Sequence, residues 1–277
     1  MIRLVSVIGH GKELIPHFIK HYSDYVDEIQ FVIYETELYN NLTKEVSELI
    51  KGNEKVKIVK TIKDRIFDWE KVTQLYNFIK SKSPNDWWVI ADVDEFHLYP
   101  NNDLKKLISN CNEYGWDIVR GGFIDRIGRG GEFSELVEDV SIWEQFPNAG
   151  FFRYPLSGAC PNKVCVMKGY IEITSGQHYA KINGETLWGP QIDNKNIAPV
   201  DKYYVQVHHF KWDSTCMDRI KDVANIKKQY AFSTEYEKMY NAIEWNDFKI
   251  DINNEEFFIE KMNPQISDFS DYSKWNR

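Results

Sequence analysis

The first part of the chain alternates short apolar runs with segments in which apolar residues recur every three or four positions. Runs of the first kind are typical of strands, and segments of the second kind are typical of amphipathic helices. The predicted strands cover 3–8, 29–34 and 56–59, and the predicted helices begin near Lys12, Thr43 and Trp69. Because strands that alternate with helices pair in parallel through right-handed crossovers, the pattern predicts an α/β fold with a mostly parallel central sheet flanked by helices.

A fourth apolar run, 87–90, is followed directly by acidic residues. Its four consecutive apolar residues indicate a strand that is buried on both faces. Asp92, Asp94 and Glu95 follow at its carboxyl end, where open α/β sheets bind their ligands. Successive side chains of a strand point to opposite faces, so we expect Asp92 and Asp94 to share one side.

The spacing of Asp92 and Asp94 suits a hard divalent cation. Mg²⁺ and Mn²⁺ take oxygen ligands and are commonly held by one or two carboxylates together with phosphate oxygens of a substrate. We therefore expect Mn²⁺ or Mg²⁺ at this pair. The alternative is that these acids cap the following segment, since Asp is common at helix starts.

The rest of the chain continues the α/β pattern and then changes character. A further strand is predicted where 115–123 leads into 124–127, and others are predicted at 162–167 and 203–207. Helices are predicted from Asp103 and Met217. The tail from Asn241 is acidic and aromatic, which predicts irregular structure. We expect one domain over 1–215 and a C-terminal helix with an aromatic tail over 216–277, packed on it.

Composition and charge narrow the class of protein. Hydrophobic residues make up 43% of the chain and aromatic residues 15%, as in a globular protein rich in groups that can stack on sugars. The formal net charge of -8 argues against a nucleic-acid binder, whose affinity comes from clustered Lys and Arg. Such an acidic protein needs a metal or a local basic patch to hold an anionic substrate.

Cysteine spacing and apolar run length bear on the cellular compartment. The four cysteines show no C-x-x-C spacing, so neither a zinc site nor a disulfide framework is indicated. The N-terminal apolar run is too short for a signal peptide, and no run approaches the roughly 20 residues of a membrane helix. The default expectation is a cytoplasmic protein without a transmembrane segment, and peripheral contact with a membrane stays open.

Two motifs carry a resemblance to a known family. Residues 91–96 read A-D-V-D-E-F, and 209–212 read H-F-K-W. Together with the order of the predicted elements, they resemble glycosyltransferases of the GT-A fold, in the family 2-like branch with a D-x-D-E-F motif. The resemblance covers most of 1–215 and implies a GT-A, Rossmann-like sheet. It also implies a metal on Asp92 and Asp94, with His209 as a third ligand or a phosphate contact.

The resemblance further implies a nucleotide-sugar donor, namely a UDP-, GDP- or dTDP-sugar, and a glycan or lipid-linked acceptor. The candidate donor-binding residues are Glu35, Arg65, Asp92 and Lys211. An inverting transfer needs a general base, expected to be a carboxylate, that takes the proton of the acceptor hydroxyl. The E-D pair that often serves in this family is absent from the matching segment 175–178.

The candidates for the base are therefore Asp125, then Glu144, with His178 as a base or a phosphate ligand. The expected activity is metal-dependent transfer of a sugar from a nucleotide-sugar to a hydroxyl of a glycan or glycolipid, with inversion. A metal-dependent nucleotidyl- or phosphotransferase would use the same acids and metal. A noncatalytic carbohydrate-binding protein is the alternative from another class. A glycoside hydrolase is disfavoured, since its two carboxylates flank the sugar from opposite sides.

Overall fold

The computed structural model describes residues 1–187, 195–226 and 232–261. The strands are β1 Ile2–Ile8, β2 Glu28–Glu35, β3 Val56–Lys63, β4 Trp87–Ile90, β5 Glu95–Leu98, β6 Ile118–Ile127, β7 Asn148–Gly150, β8 Asn162–Lys168, β9 Glu172–Ile173, β10 Ala180–Ile182, β11 Glu185–Thr186, β12 Val205–His209 and β13 Glu260–Lys261. The helices are α1 Ile15–Tyr22, α2 Leu42–Leu49, α3 Trp69–Ser81, α4 Leu104–Tyr114, α5 Ile142–Gln145, α6 Arg153–Ser157, α7 Cys216–Ile226 and α8 Ser233–Trp245.

Contacts between residues divide the chain into two compact units. Among the described residues, the first comprises Met1–Gly122 and Asn162–Val207, and the second comprises Phe123–Pro161 and 208–261. The predicted division at residue 215 stays a prediction, because compactness of contacts alone does not define a domain.

The first unit is built on a mostly parallel sheet. Its parallel strands run in the order β3-β2-β1-β4, with Val7 opposite Val32 and Leu4 opposite Val89. Strand β8 lies antiparallel to β4, and the first half of β6 lies antiparallel to β8. Since 3-2-1-4 is the start of the doubly wound strand order, the predicted Rossmann-like α/β sheet flanked by helices is confirmed.

The core of this unit explains why the apolar runs form strands. Val5, Ile90 and Trp88 are at most 1% exposed and pack with Tyr76 and Ile79 of α3. Strands that are covered on both faces read as continuous apolar runs, as 87–90 does. Aspartates begin two of the helices: Asp68 accepts hydrogen bonds from two backbone N–H groups of α3, and Asp103 accepts one from α4.

The second unit has its own core and an antiparallel sheet. The second half of β6 pairs with β7, and β7 pairs with β13. Trp212 and Phe152 are fully buried there, together with Ile220 of α7 and Ile243 of α8. The irregular structure predicted from Asn241 is wrong up to Trp245, because Met239 and Ile243 form a buried stripe at helical spacing.

The rest of the predicted aromatic tail, 262–277, lies outside the described residues. Among the residues that the structure does describe, no helix has the length and apolar character needed to cross a membrane.

Candidate functional site

The acidic motif lies on a turn between β4 and β5. Strand β4 ends at Ile90, and the N–H of Glu95 donates to the carbonyl oxygen of Asp92 over 2.9 Å, which closes a turn through Val93 and Asp94. The expectation that Asp92 and Asp94 share one face of an extended strand is therefore wrong, because the chain turns before a strand could continue. Both side chains stay half-buried at the carboxyl edge of the sheet.

The Asp92 carboxylate is held through one of its two oxygens. Its Oδ1 accepts a hydrogen bond from the Tyr76 hydroxyl at 2.6 Å and another from the Gln177 side-chain amide at 2.9 Å. Its Oδ2 lies 3.8 Å from the Lys163 ammonium, and the side chain is 39% exposed. The arrangement fixes the carboxylate and leaves Oδ2 as the oxygen with capacity for a cation.

Tyr76 is a fixed donor in this arrangement. Burial, and then the negative charge of Asp92, raise the pKa of Tyr76 well above its ordinary value, so the phenol keeps its proton. The backbone N–H of Val7 donates to the Tyr76 oxygen over 3.1 Å. This bond ties the hydroxyl that orients Asp92 to the neighbouring strand β1.

A buried ion pair lies behind Asp92. The Lys163 ammonium is 2.7 Å from Glu95 Oε1, and both side chains are only 2% exposed. The same ammonium donates to Gln177 Oε1 over 2.7 Å and to the carbonyl oxygen of Gly176 over 3.3 Å. Lys163 therefore belongs to the support of the turn and is not a surface cation.

The strand order reverses between β1 and β4, which is where open α/β sheets bind ligands. The segment after β1 contributes two glycines at this crevice. A side chain at Gly9 would meet the Phe67 ring at 2.3 Å, and Gly11 has a φ of +73°, in the left-handed region that favours glycine. The two glycines therefore allow the Phe67 ring to pack against the chain and allow a left-handed turn at the end of β1.

Aromatic rings surround the ends of β1, β2 and β3. The Phe67 ring lies 4.9 Å from Tyr34 and 5.0 Å from Trp69, measured between centroids, and His10 lies 6.4 Å from Tyr39. Tyr39 is 42% exposed. Rings of this kind can stack on the flat face of a nucleobase.

An ionised carboxylate accompanies these rings. Asp64 accepts a hydrogen bond from the Tyr34 hydroxyl and pairs with Lys71 at 2.6 Å. The Lys71 ammonium, followed by the Tyr34 hydroxyl, holds the pKa of Asp64 below its ordinary value.

Glu35 ends the second strand, and Arg65 lies just beyond the third. Glu35 is 4% exposed, accepts from the backbone N–H of Thr43 at 2.9 Å and pairs with Lys63 at 2.9 Å. Burial raises its pKa, but the Thr43 hydrogen bond and Lys63 lower it by more, so the net shift is downward. Arg65 is exposed, two residues after the end of β3. Their predicted contacts with the donor stay predictions.

His178 lies in the first unit, one residue after Gln177. Its Nδ1 is 2.8 Å from the carbonyl oxygen of Asn162. A carbonyl oxygen only accepts, so Nδ1 carries the proton in the neutral ring and Nε2 is the basic nitrogen.

The second unit contains the other candidates. Asp125 is 2% exposed and accepts from the Trp212 indole at 2.9 Å and from the backbone N–H of Arg153 at 2.8 Å. His209 Nδ1 lies 3.5 Å from Asp125 Oδ1, so the structure brings these two candidates together. Glu144 is exposed on α5.

Lys211 also belongs to this unit. It is 7% exposed, with its ammonium 4.4 Å from the centroid of the Tyr236 ring.

Sequence reasoning missed Tyr76 and Gln177 as partners of Asp92. Tyr76 belongs to the apolar stripe of α3, and Gln177 lies 85 residues from Asp92 along the chain. The one usable signal was positional, because Gln177 lies in the segment 175–178, which matches the position of an E-D pair in the glycosyltransferases that the acidic motif resembles.

The described residues contain no group of three or more His, Cys, Asp and Glu side chains placed to hold a metal ion. Two carboxylates on a turn nevertheless fit the way Mg²⁺ or Mn²⁺ is held when substrate phosphates supply the remaining ligands. The donor set is all oxygen, which is the chemistry that these cations prefer.

Comparisons with known proteins identify solved structures of similar fold and no family. No protein-family model matches the chain, and no curated protein matches it. The chain is similar to a structure assigned as a glucose-1-phosphate thymidylyltransferase from Bacillus anthracis, in complex with a sucrose, with 9% identity, a TM-score of 0.32, and 87% of this chain and 83% of that chain covered. It is also similar to UTP-bound UGPase from Acinetobacter baumannii, with 10% identity, a TM-score of 0.30 and the same coverage.

Proposed function

We propose that the protein is a glycosyltransferase that uses a nucleotide-sugar donor and binds Mn²⁺ or Mg²⁺ on Asp92 and Asp94. The observation that carries the proposal is the Asp92 carboxylate, whose Oδ1 is engaged by Tyr76 and Gln177 and whose other oxygen is left for a cation. It stands at the reversal of strand order, beside the glycine segment after β1. The cation would offset the charge that develops on the leaving diphosphate.

The donor would lie along the carboxyl ends of β1, β2 and β4. Its base would stack among the rings of Tyr39, Phe67 and Trp69, and its diphosphate would reach the Asp92–Asp94 turn past Gly9–Gly11. The acceptor would be a hydroxyl of a glycan or of a lipid-linked sugar. These assignments are supported by the position of the rings and glycines relative to the strand ends.

The base is better assigned to His178 than to Asp125. His178 follows Gln177, which touches Asp92, and its Nε2 is the basic nitrogen of the neutral ring. Both oxygens of Asp125 already accept hydrogen bonds, and that side chain is 2% exposed. Inversion at the anomeric carbon is part of the same proposal, since a single positioned base suffices for it.

The test is an assay of products with a panel of UDP-, GDP- and dTDP-sugars in the presence of Mn²⁺. A glycosyltransferase releases nucleoside diphosphate, slowly by hydrolysis and faster with an acceptor, whereas a nucleotidyltransferase makes pyrophosphate from a nucleoside triphosphate and a sugar phosphate. We expect nucleoside diphosphate, its loss in Asp94→Ala, and no loss in Asp24→Ala, which removes an exposed carboxylate of the same unit. Pyrophosphate as the product would replace the proposal with the nucleotidyltransferase.

A further inference from the structure

We infer that Gln177 and the buried Lys163–Glu95 pair are positioning residues that hold the Asp92 carboxylate for its cation. The inference rests on the proposed function, since it presupposes a cation on Asp92 and Asp94. Four side chains and one backbone group form a closed ring of contacts. Glu95 contacts Lys163, Lys163 contacts Gln177, and Gln177 contacts Asp92. The ring closes where the backbone N–H of Asp92 donates a hydrogen bond to Glu95 Oε2 over 3.2 Å.

The Lys163 ammonium has no donor left for a phosphate. An ammonium group carries three N–H donors, and the acceptors around this one include Glu95 Oε1 at 2.7 Å, Gln177 Oε1 at 2.7 Å and the Gly176 carbonyl oxygen at 3.3 Å, with Asp92 Oδ2 farther away at 3.8 Å. Its side chain is 2% exposed. Lys163 therefore acts on the donor through its neighbours.

Lys163 also fixes which way the Gln177 amide points. Because the ammonium can only donate, Gln177 must turn its Oε1 toward Lys163. Its Nε2 then faces Asp92 Oδ1 at 2.9 Å. A flipped amide would place oxygen against the carboxylate and N–H against the ammonium, so the ion pair selects the orientation that orders Asp92.

The backbone at Gln177 is consistent with this role. Gln177 has a φ of +59°, in the left-handed region that residues other than glycine seldom adopt. It ends the short 3₁₀ turn Ser175–Gln177 and is only 3% exposed. Strained conformations persist where the surroundings fix them, and they cluster at functional sites. Here the two side-chain hydrogen bonds of Gln177 supply that constraint.

The test measures Mn²⁺ affinity by electron paramagnetic resonance, with Mn²⁺ alone and with UDP, GDP or dTDP added. The first variant, Lys163→Met/Glu95→Gln, removes one positive and one negative charge, so the net charge near Asp92 is unchanged. The second, Gln177→Met, keeps the length of the side chain and removes its amide. Loss of such supporting contacts typically weakens metal binding about 10- to 100-fold, and we expect that range for both variants.

A matched control removes another ion pair of the same sheet. Arg3 Nε lies 2.8 Å from Asp86 Oδ2. Arg3 is the second residue of β1 and Asp86 directly precedes β4, so the pair lies at the amino ends of these strands, whereas Asp92 follows the carboxyl end of β4. Arg3→Met/Asp86→Asn should bind Mn²⁺ like the unmodified protein. Far-ultraviolet circular dichroism and thermal melting measure the folding of every variant. If the Lys163→Met/Glu95→Gln variant does not fold, the Mn²⁺ affinity of Gln177→Met alone tests the inference.

Asp94→Ala separates this inference from the proposed function. If Asp94→Ala loses Mn²⁺ while the folded Gln177 and Lys163/Glu95 variants bind it like the unmodified protein, the positioning role is overturned and the cation site stands. If Asp94→Ala binds Mn²⁺ as tightly as the unmodified protein, the cation site itself is wrong and the inference falls with it.

Discussion

At the scale of single residues, Glu95 and His97 show two ways of burying a polar side chain on one strand. Glu95 lies beside the Lys163 ammonium, and both are 2% exposed. His97 is 0% exposed, and its two ring nitrogens have no hydrogen-bond partner within the described part of the chain. Burial, and then the charge of Lys163, hold the pKa of His97 well below its ordinary value, so the ring is neutral in the folded protein.

This histidine predicts a loss of stability in acid. Below the ordinary pKa of 6.5 the unfolded chain binds a proton that folded His97 does not, so the free energy of unfolding falls as the pH falls. The slope is at most about 1.4 kcal/mol per pH unit for one proton. Urea unfolding measured between pH 7.5 and 5 should show that the free energy of unfolding falls less steeply with falling pH in His97→Phe than in the unmodified protein. Equal slopes in the two proteins would contradict the assignment.

The sequence predicts residues of the candidate site only where they lie together in one short segment. Asp92 and Asp94 could be singled out because they follow a continuous apolar run. Their partners could not, since Tyr76 and Gln177 lie 16 and 85 residues away from Asp92. A hydrogen bond between distant segments leaves no periodic pattern in the sequence.

At the scale of elements, apolar periodicity predicts most of the strands and helices that position the site. Apolar periodicity does not predict the Asp92–Glu95 turn. A backbone hydrogen bond closes this turn, and backbone hydrogen bonds are not visible in the alternation of apolar and polar side chains. The prediction also fails at α8, where the aromatic and acidic composition hides a stripe containing Met239 and Ile243. Composition is a weaker guide than spacing in such a segment.

Helix α3 offers a test at this scale. The Asp68 side chain accepts hydrogen bonds from the backbone N–H groups of Glu70 at 2.9 Å and Lys71 at 3.2 Å, which caps the helix that carries Tyr76. Loss of an N-cap costs about 1 kcal/mol. Asp68→Ala should lower the free energy of unfolding by about that amount. Asp68→Ser should keep most of the stability of the unmodified protein, and chemical denaturation measures the free energy of unfolding of both variants. Equal stability of the alanine and serine variants would show that the cap is dispensable.

At the scale of the whole molecule, the sequence predicts the net charge and the fold class. It does not predict the two compact units. A net charge of -8 means that an anionic ligand needs a metal or a local basic patch in order to bind. The alternation of strands and helices indicated the parallel sheet. The two units could not be predicted because each consists of segments that are separated along the chain.

The central claim is that Asp92 and Asp94 hold the cation through which a nucleotide-sugar binds. The most direct test is isothermal titration of UDP-, GDP- and dTDP-sugars into the protein with and without Mn²⁺, and into Asp94→Ala with Mn²⁺. We expect one of these donors to bind with Mn²⁺, to lose its affinity without the metal, and to lose it again in Asp94→Ala. Binding that is equally tight without metal, or in Asp94→Ala, would contradict the claim.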